Sequence, residues 1–252
     1  MQIHNDNLKI ATTAPSSQAE QTCALVDSIS ASEPGVVSIS CAAGTSLVEE
    51  YDEIDAIYVL RSGWAMESTL LPDGRCQVQN ILLPGDVVGL GNLVSGLASH
   101  SVVAITDLSV VKIPVNRIDR MRATSPDFQT LLTRRSAQEH ALLRARLVSV
   151  GRRSAVERMA HFILELRIRL RERGLTEDLR MPWMVTQEII ADALGLSIVH
   201  VNRTLRKLRE RKLIDFPTVR EIRVLDEDGL CELAEFDACY LLPEGPSASM
   251  VH

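Results

Sequence analysis

Residues 186–214 read TQEIIADALGLSIVHVNRTLRKLRERKLI. The stretch spells two short helices and a bend. Thr186 supplies an N-cap hydroxyl, and Glu188 places a negative charge in the first turn, where the helix dipole favours it. Ile190, Ala193 and Leu194 form an apolar face; Gly195 then ends the helix, because a residue without Cβ accepts a positive φ. Ser197 caps a second helix whose buried face is expected to hold Ile198, Val201, Leu205 and Leu208, spaced 3, 4 and 3. Ala191, Gly195 and Val201, four and then six residues apart, fall where a helix-turn-helix needs a small crossing residue, a sharp bend and an apolar lock.

The outward positions of the second helix are His200, Asn202, Arg203, Arg206 and Arg209. A helix with polar and cationic residues facing out is what the major groove of duplex DNA accepts. Beyond it, Leu213–Phe216 and Glu221–Val224 read as two short strands around Pro217–Arg220, a wing. Arg220 and Arg223 are placed either to reach a sugar–phosphate backbone or to form ion pairs on the surface.

Working outward toward the N-terminus, two helical patterns precede the motif. Phe128 to Val150 contains no Pro or Gly and carries Leu131, Leu132, Leu142, Leu143, Leu147 and Val150. The steps Leu143, Leu147, Val150 make a 4-then-3 seam that suits a parallel helical partner, so these three residues are the candidates for dimerisation. The same face could instead lie on the chain's own sheet. Ala155 to about Arg173 follows, with Val156, Met159, Ile163, Leu166 and Leu170 on one face and Gly174 as a stop.

From Gly35 to Pro114 the periodicity is different. Val36–Ser40, Ala56–Leu60, Gln77–Leu83, Ser101–Ile105 and Leu108–Ile113 are β-branched runs separated by turn signals, among them Pro72-Asp73-Gly74 and Pro84-Gly85-Asp86. Many short strands with no long helix between them indicate an antiparallel roll with room for a small ligand. The expected architecture is α+β. Residues 1–20 form a disordered N-terminus, 21–126 an antiparallel β-roll of the double-stranded β-helix or jelly-roll type, and 127–152 a long dimerisation helix. A winged helix-turn-helix at 153–240 and a tail at 241–252 complete the chain.

Bulk properties narrow the function. The 252 residues carry a net charge of −6, which hides a partition. Residues 1–133 hold 7 basic and 15 acidic side chains, residues 134–223 hold 20 and 11, and residues 224–252 hold none and 7. The positive block coincides with the helical region, as a footprint for phosphates would. No window is apolar enough for a membrane span, and the polar start lacks the apolar core of a signal peptide, so no membrane partner and a cytosolic location are expected. Five scattered cysteines without a C-x-x-C pair argue against a disulfide framework or a local metal cluster.

The block PGDVVGLGNLVSGLASHSVVAITDLSVVKIP, residues 84–114, together with residues 186–214, resembles the Crp/Fnr transcription regulators, and the similarity runs from about Val36 to Phe216. The resemblance implies a homodimer held by the long helix, a palindromic operator on double-stranded DNA, and contact with RNA polymerase when the protein activates. Carried onto this sequence, it makes Ser197, Val199, His200, Asn202, Arg203 and Arg206 the candidate DNA contacts, framed by Thr186, Ala191, Gly195 and Val201. Arg203 is the first candidate for a bidentate guanine contact.

Two departures qualify the resemblance. Members that bind cyclic AMP place a Glu and an Arg after the Gly-Asp turn; residues 89–101 here contain neither, with Leu90 and His100 near those places. A buried phosphodiester without a cationic partner is expensive, so cyclic AMP is not expected. Oxygen-sensing members use an N-terminal cysteine cluster for an iron–sulfur centre, and only Cys23 lies in that region. In the second helix, Val199 stands where many members carry an acid, and valine can make only apolar contact, for example with a thymine methyl.

The effector stays unassigned. Cys23, Cys41 and Cys76 are candidates for redox sensing or plain structural thiols, and His100 or His161 for haem ligation. Trp64 and Trp183 read as packing residues. The competing function is a β-barrel small-molecule-binding protein or enzyme whose helical C-terminal domain makes protein contacts. Against an enzyme, the roll holds one histidine, His100, and no catalytic constellation or nucleotide-binding motif stands in a suitable context.

Overall fold

The computed structural model describes residues 18–30, 33–93 and 95–241. The disordered stretch expected at residues 1–20 therefore falls mostly outside the described residues, but residues 18–20 belong to a helix, α1 (Gln18–Ser30). Eight strands follow: β1 (Val37–Cys41), β2 (Ser46–Val48), β3 (Ala56–Ser62), β4 (Ala65–Leu70), β5 (Cys76–Leu82), β6 (Val87–Val88), β7 (Ser101–Ala104) and β8 (Leu108–Pro114). They pair antiparallel in two four-stranded sheets, ordered β1-β8-β3-β6 and β2-β7-β4-β5. This is the β-roll that the strand pattern predicts, with β2, β4 and β6 added.

The expected space inside the roll is filled. Ala56, Tyr58, Leu60, Ala65, Leu82, Val88, Val102, Ala104 and Val110 meet there in one apolar cluster. Alternate residues of the same strands, Ile57, Val59, Val111 and Ile113, point the other way and are covered by Val26 of α1, by Ile118 and Met121 of α2 (Val115–Thr124), and by Phe128 and Leu132 of α3 (Pro126–Arg152). Burial on both faces is why β3 reads as a continuous apolar run rather than an alternating one. At Gly85 (φ +88°) an added Cβ would come within 2.9 Å of Ala19 Cα, so glycine lets α1 approach the roll.

Helix α3 starts at Ser125, whose hydroxyl accepts from Phe128 N at 3.2 Å, with Pro126 in the first turn. It stops at an extended Arg153, and Ser154 opens α4 (Ala155–Glu172) through a reciprocal capping box with Glu157. Helix α4 differs from the one-faced helix that its sequence suggests, because every residue from Met159 to Leu170 is buried. It lies between the roll and the remaining helices; Arg167, Arg169 and Arg171 are matched to carboxylates from elsewhere in the chain, and Arg158 to the backbone carbonyls of Arg153 and Leu194.

Beyond α4 come β9 (Arg180–Pro182), α5 (Gln187–Leu194), α6 (Ile198–Glu210), β10 (Ile214–Thr218), β11 (Glu221–Val224) and α7 (Glu227–Ala234). The three strands form a small antiparallel sheet, β10-β11-β9, under the helices. Trp183 packs edge-on to Phe162 and Phe216, confirming its packing role; Trp64 is buried in the same cluster. That cluster joins Trp64, Val78, Ile81 and Leu83 of the roll to α4, α5 and α6, so the two halves share a core.

Candidate nucleic-acid interface

The helix-turn-helix is built as its residues dictate. Thr186 Oγ1 accepts from Ile189 N at 3.2 Å and Ser197 Oγ from His200 N at 3.3 Å, capping α5 and α6. Gly195 takes the left-handed conformation (φ 62°, ψ 42°), and Leu196 N donates to Ala191 O at 3.0 Å across the bend. Ala191 is buried where α5 meets its neighbours, and Val201 is fully buried beneath α6. Leu205 and Leu208 are buried as expected, joined by Thr204. Ile198 is not: it is 43% exposed, because the first turn of α6 projects past the packed contact that Val201 makes.

The opposite face of α6 is open. Ser197, Val199, His200, Asn202, Arg203 and Arg206 are all exposed. His200 Nδ1 lies 3.0 Å from Ser197 Oγ, and Arg206 Nε donates to Glu210 at 2.8 Å. Arg203 has no hydrogen-bond or ion-pair partner among the described residues. Arg209 sits over the Phe216 ring at 5.9 Å, tying the helix to the wing. At the wing tip Val219 and Arg220 are exposed, while Glu221 pairs with Arg180 at 3.5 Å.

The positive excess of residues 134–223 is only partly external. Arg135, Arg167, Arg169 and Arg173 are buried, and Arg146 is largely so. Asp86 of the Pro84-Gly85-Asp86 turn receives Arg169 at 2.9 Å and Arg173 at 2.5 Å, and Arg135 stands 3.7 Å away. Arg146 and Arg169 both reach Glu165, at 2.5 and 3.4 Å. Burial would raise the Asp86 carboxyl, but the guanidiniums of Arg173, Arg169 and Arg135 outweigh it and hold it at about 2. Nothing local in the sequence marks Asp86 as the centre of this network, since Arg169 and Arg173 lie 83 and 87 residues from it.

The network borders a cavity between the roll, α3, α4 and the returning C-terminal segment, also lined by Glu67, Glu139, Glu172 and Tyr240, with about 30 Å³ of water-sized space. That is room for a water molecule or two rather than a nucleotide. Burial pushes the carboxyls of Glu139 and Glu172 up to about 7. His100 Nε2 stands 3.5 Å from Glu67 Oε1, and its Nδ1 is 3.0 Å from Ser99 Oγ.

Both haem candidates are engaged within the chain. His161 is buried, stacks on Tyr240 and lies 3.3 Å from its hydroxyl; burial lowers the imidazole to about 4. Among the described residues no group of three or more His, Cys, Asp or Glu side chains could hold a metal ion. All five cysteines are free, and burial pushes the thiols of Cys23, Cys76 and Cys231 up, the last to about 11, which keeps them protonated and slow to react.

Along α3, Leu147 is 75% exposed and Leu143 42%, whereas Val150 is half-buried in a crevice with Arg158, Phe162 and Leu194. Val148, which the sequence reading did not single out, is 53% exposed beside Leu147. Gln187, which no pattern in the sequence marks, accepts a hydrogen bond from Asn202 Nδ2 at 2.7 Å. No described helix is long and apolar enough to cross a membrane.

Comparison with known proteins agrees with this geometry. Residues 38–125 match the cyclic nucleotide-binding domain and residues 157–233 the Crp-like helix-turn-helix domain. The transcriptional activatory protein AadR of Rhodopseudomonas palustris is 35% identical over 72% of this chain and 74% of its own. The transcriptional regulatory protein btr of Bordetella pertussis is 30% identical over 78% and 80%. The solved structure of FixK2 from Bradyrhizobium japonicum superposes with a TM-score of 0.71 at 26% identity, over 81% of this chain and 99% of that one. With a strand roll, a long helix and a capped helix-turn-helix in that order, and relatives that are regulators rather than enzymes, the chain belongs to the Crp/Fnr family of transcription regulators.

Proposed function

We propose that the protein binds a palindromic operator as a homodimer, with α3 as the shared axis and α6 of each copy in a major groove. The observation that carries this is the two-sided character of α6: Val201, Leu205 and Leu208 are buried, while Arg203, Asn202 and Val199 face out. Arg203, long and unpaired, is the residue suited to a guanine edge, and Val199 to a thymine methyl. Ser197, His200 and Arg206 stand at the same surface, where phosphate oxygens would lie. The exposed Leu143 and Leu147 supply apolar surface for the second copy.

The roll acts as the sensor in this reading. It shares a core with the reading head, so a change in the roll has a physical route to α5 and α6. Contact with RNA polymerase follows where the bound dimer activates.

The test is binding to duplex DNA at two or more salt concentrations. A reader that neutralises phosphates loses affinity with a log–log slope of about −0.9 per phosphate. A flat salt dependence would instead favour a helical domain that makes protein contacts.

A further inference from the structure

Asn202 stands on the exposed face of α6, yet its amide is not free to turn. Its Nδ2 donates to the carbonyl oxygen of Ile198, one helical turn earlier, at 3.1 Å. A backbone carbonyl only accepts, so this bond fixes which end of the amide faces the helix: nitrogen inward, Oδ1 outward. The same nitrogen donates to Oε1 of Gln187 at 2.7 Å. Gln187 is the first residue of α5, and presenting its oxygen to Asn202 turns its own amide nitrogen away. Both side chains are exposed, and neither Asn202 Oδ1 nor Gln187 Nε2 has a partner among the described residues.

Two residues from two helices thus show one acceptor beside one donor. An asparagine alone can read a base through its own oxygen and nitrogen, but here the nitrogen is already committed twice. In the major groove adenine shows a donor, N6, next to an acceptor, N7. Guanine shows two acceptors, which would face Asn202 Oδ1 with another oxygen. Thymine offers an acceptor and a methyl, and cytosine only a donor. Adenine is the base that satisfies both groups.

We propose that Gln187 and Asn202 form a composite adenine reader, Asn202 Oδ1 accepting from N6–H and Gln187 Nε2 donating to N7. The inference rests on the operator-binding reading of α6 and adds a specificity-determining pair, one member of which lies outside the recognition helix. The exposed Ile198 and Val199 beside it give an apolar surface suited to a neighbouring thymine methyl.

The experiment is binding-site selection from a random duplex library with the full-length chain. Affinities are then measured on the selected duplex and its three single-base replacements at each position. The wild type should show one position per half-site where adenine leads by roughly 5- to 100-fold, the range of one two-bond base contact. Asn202→Ala should remove the lead of adenine over guanine at that position, because only a donor remains, and leave the other positions unchanged. Gln187→Ala should narrow the lead of adenine over cytosine, because the donor to N7 is lost while the bond to Ile198 O keeps Asn202 Nδ2 turned to the helix, with guanine and thymine still disfavoured. Both side chains are exposed, so melting temperatures near the wild type should show that the variants fold. A different preferred base at the position these variants disturb, or an undiminished lead of adenine over cytosine in Gln187→Ala, would overturn the pair. If the wild type enriched no sequence at all, the operator-binding reading itself would fall, a result distinct from either of these.

Discussion

Asp86 Oδ2 accepts from Arg169 Nη2 at 2.9 Å, although one sits at a turn of the roll and the other in the last turn of α4. Arg173 and Arg135 complete the surround, so this one carboxylate answers three buried cations. Asp86→Asn would keep the shape and remove the charge. Breaking a buried ion pair on one side costs about 3–5 kcal/mol, because the partner charges stay behind. The expected result is a large fall in the urea midpoint. The pH dependence has a definite sign: the folded-state value of about 2 lies below the ordinary 3.8, so the contribution is complete above pH 4 and is lost as pH falls toward 2. The variant should lack that acid-side loss.

Glu139 and Glu172 should behave in the opposite sense. Burial holds both near 7, above the ordinary 4.5, so the folded protein keeps protons that the unfolded chain gives up. Their favourable contribution is complete below about pH 4.5 and disappears as pH rises through 7. Glu139→Gln and Glu172→Gln should each flatten the decline in thermal midpoint between about pH 4.5 and pH 7. An unchanged pH profile would show that these carboxyls are solvated and ionised in the folded state.

These two relationships mark where the sequence stops being readable. Thr186, Gly195 and Ser197 act through bonds to residues three to five positions away, so the frame of the helix-turn-helix was legible, whereas the exposure of Ile198 and the Gln187–Asn202 bond across fifteen residues were not. Strands β1, β3, β5, β7 and β8 announced themselves as β-branched runs. Strand β4, AMESTL, did not, because Glu67 and Ser68 are buried and break its alternation. Helix α2 buries only Ile118 and Met121, too narrow a stripe to stand out, and α7 carries Gly229 in its first turn. The all-round burial of α4 depends on Asp86 and Glu227, carboxylates far away in the chain, and no local pattern reveals such partners.

Gly195→Ala isolates the cost of the bend itself. An added Cβ would meet Arg158 and Val150 at 3.9 Å, ordinary contact distance, so no clash is involved. What remains is the left-handed backbone, which costs a residue with a Cβ about 1–2 kcal/mol. A corresponding drop in the urea midpoint is expected, with Gly195→Asn falling in between, since asparagine tolerates that conformation better than alanine.

Arg203→Ala tests the proposed base contact. The guanidinium is exposed and unpaired, so its loss should leave the melting temperature unchanged. Binding to the preferred duplex should weaken by about 1–3 kcal/mol, with specificity relaxed at one base pair per half-site. An equal loss on every sequence would make the residue a phosphate contact instead.

The double change Leu143→Asp, Leu147→Asp addresses the proposed axis. Leu147 is 75% exposed and Leu143 42%, so most of their apolar surface has no cover in one copy of the chain. Burying a leucine contributes about 1.5–3 kcal/mol, and two from each copy would be a substantial part of a helix-mediated dimer. Carboxylates at these positions would face each other across the axis and repel. Sedimentation should therefore report monomers whose unfolding transition is close to that of the wild-type fold. Two reading heads must sit about 34 Å apart to engage successive major grooves, and separate monomers do not hold that spacing. Binding to a full palindrome should fall to the level of a single half-site, and full affinity from the double variant would exclude α3 as the shared axis.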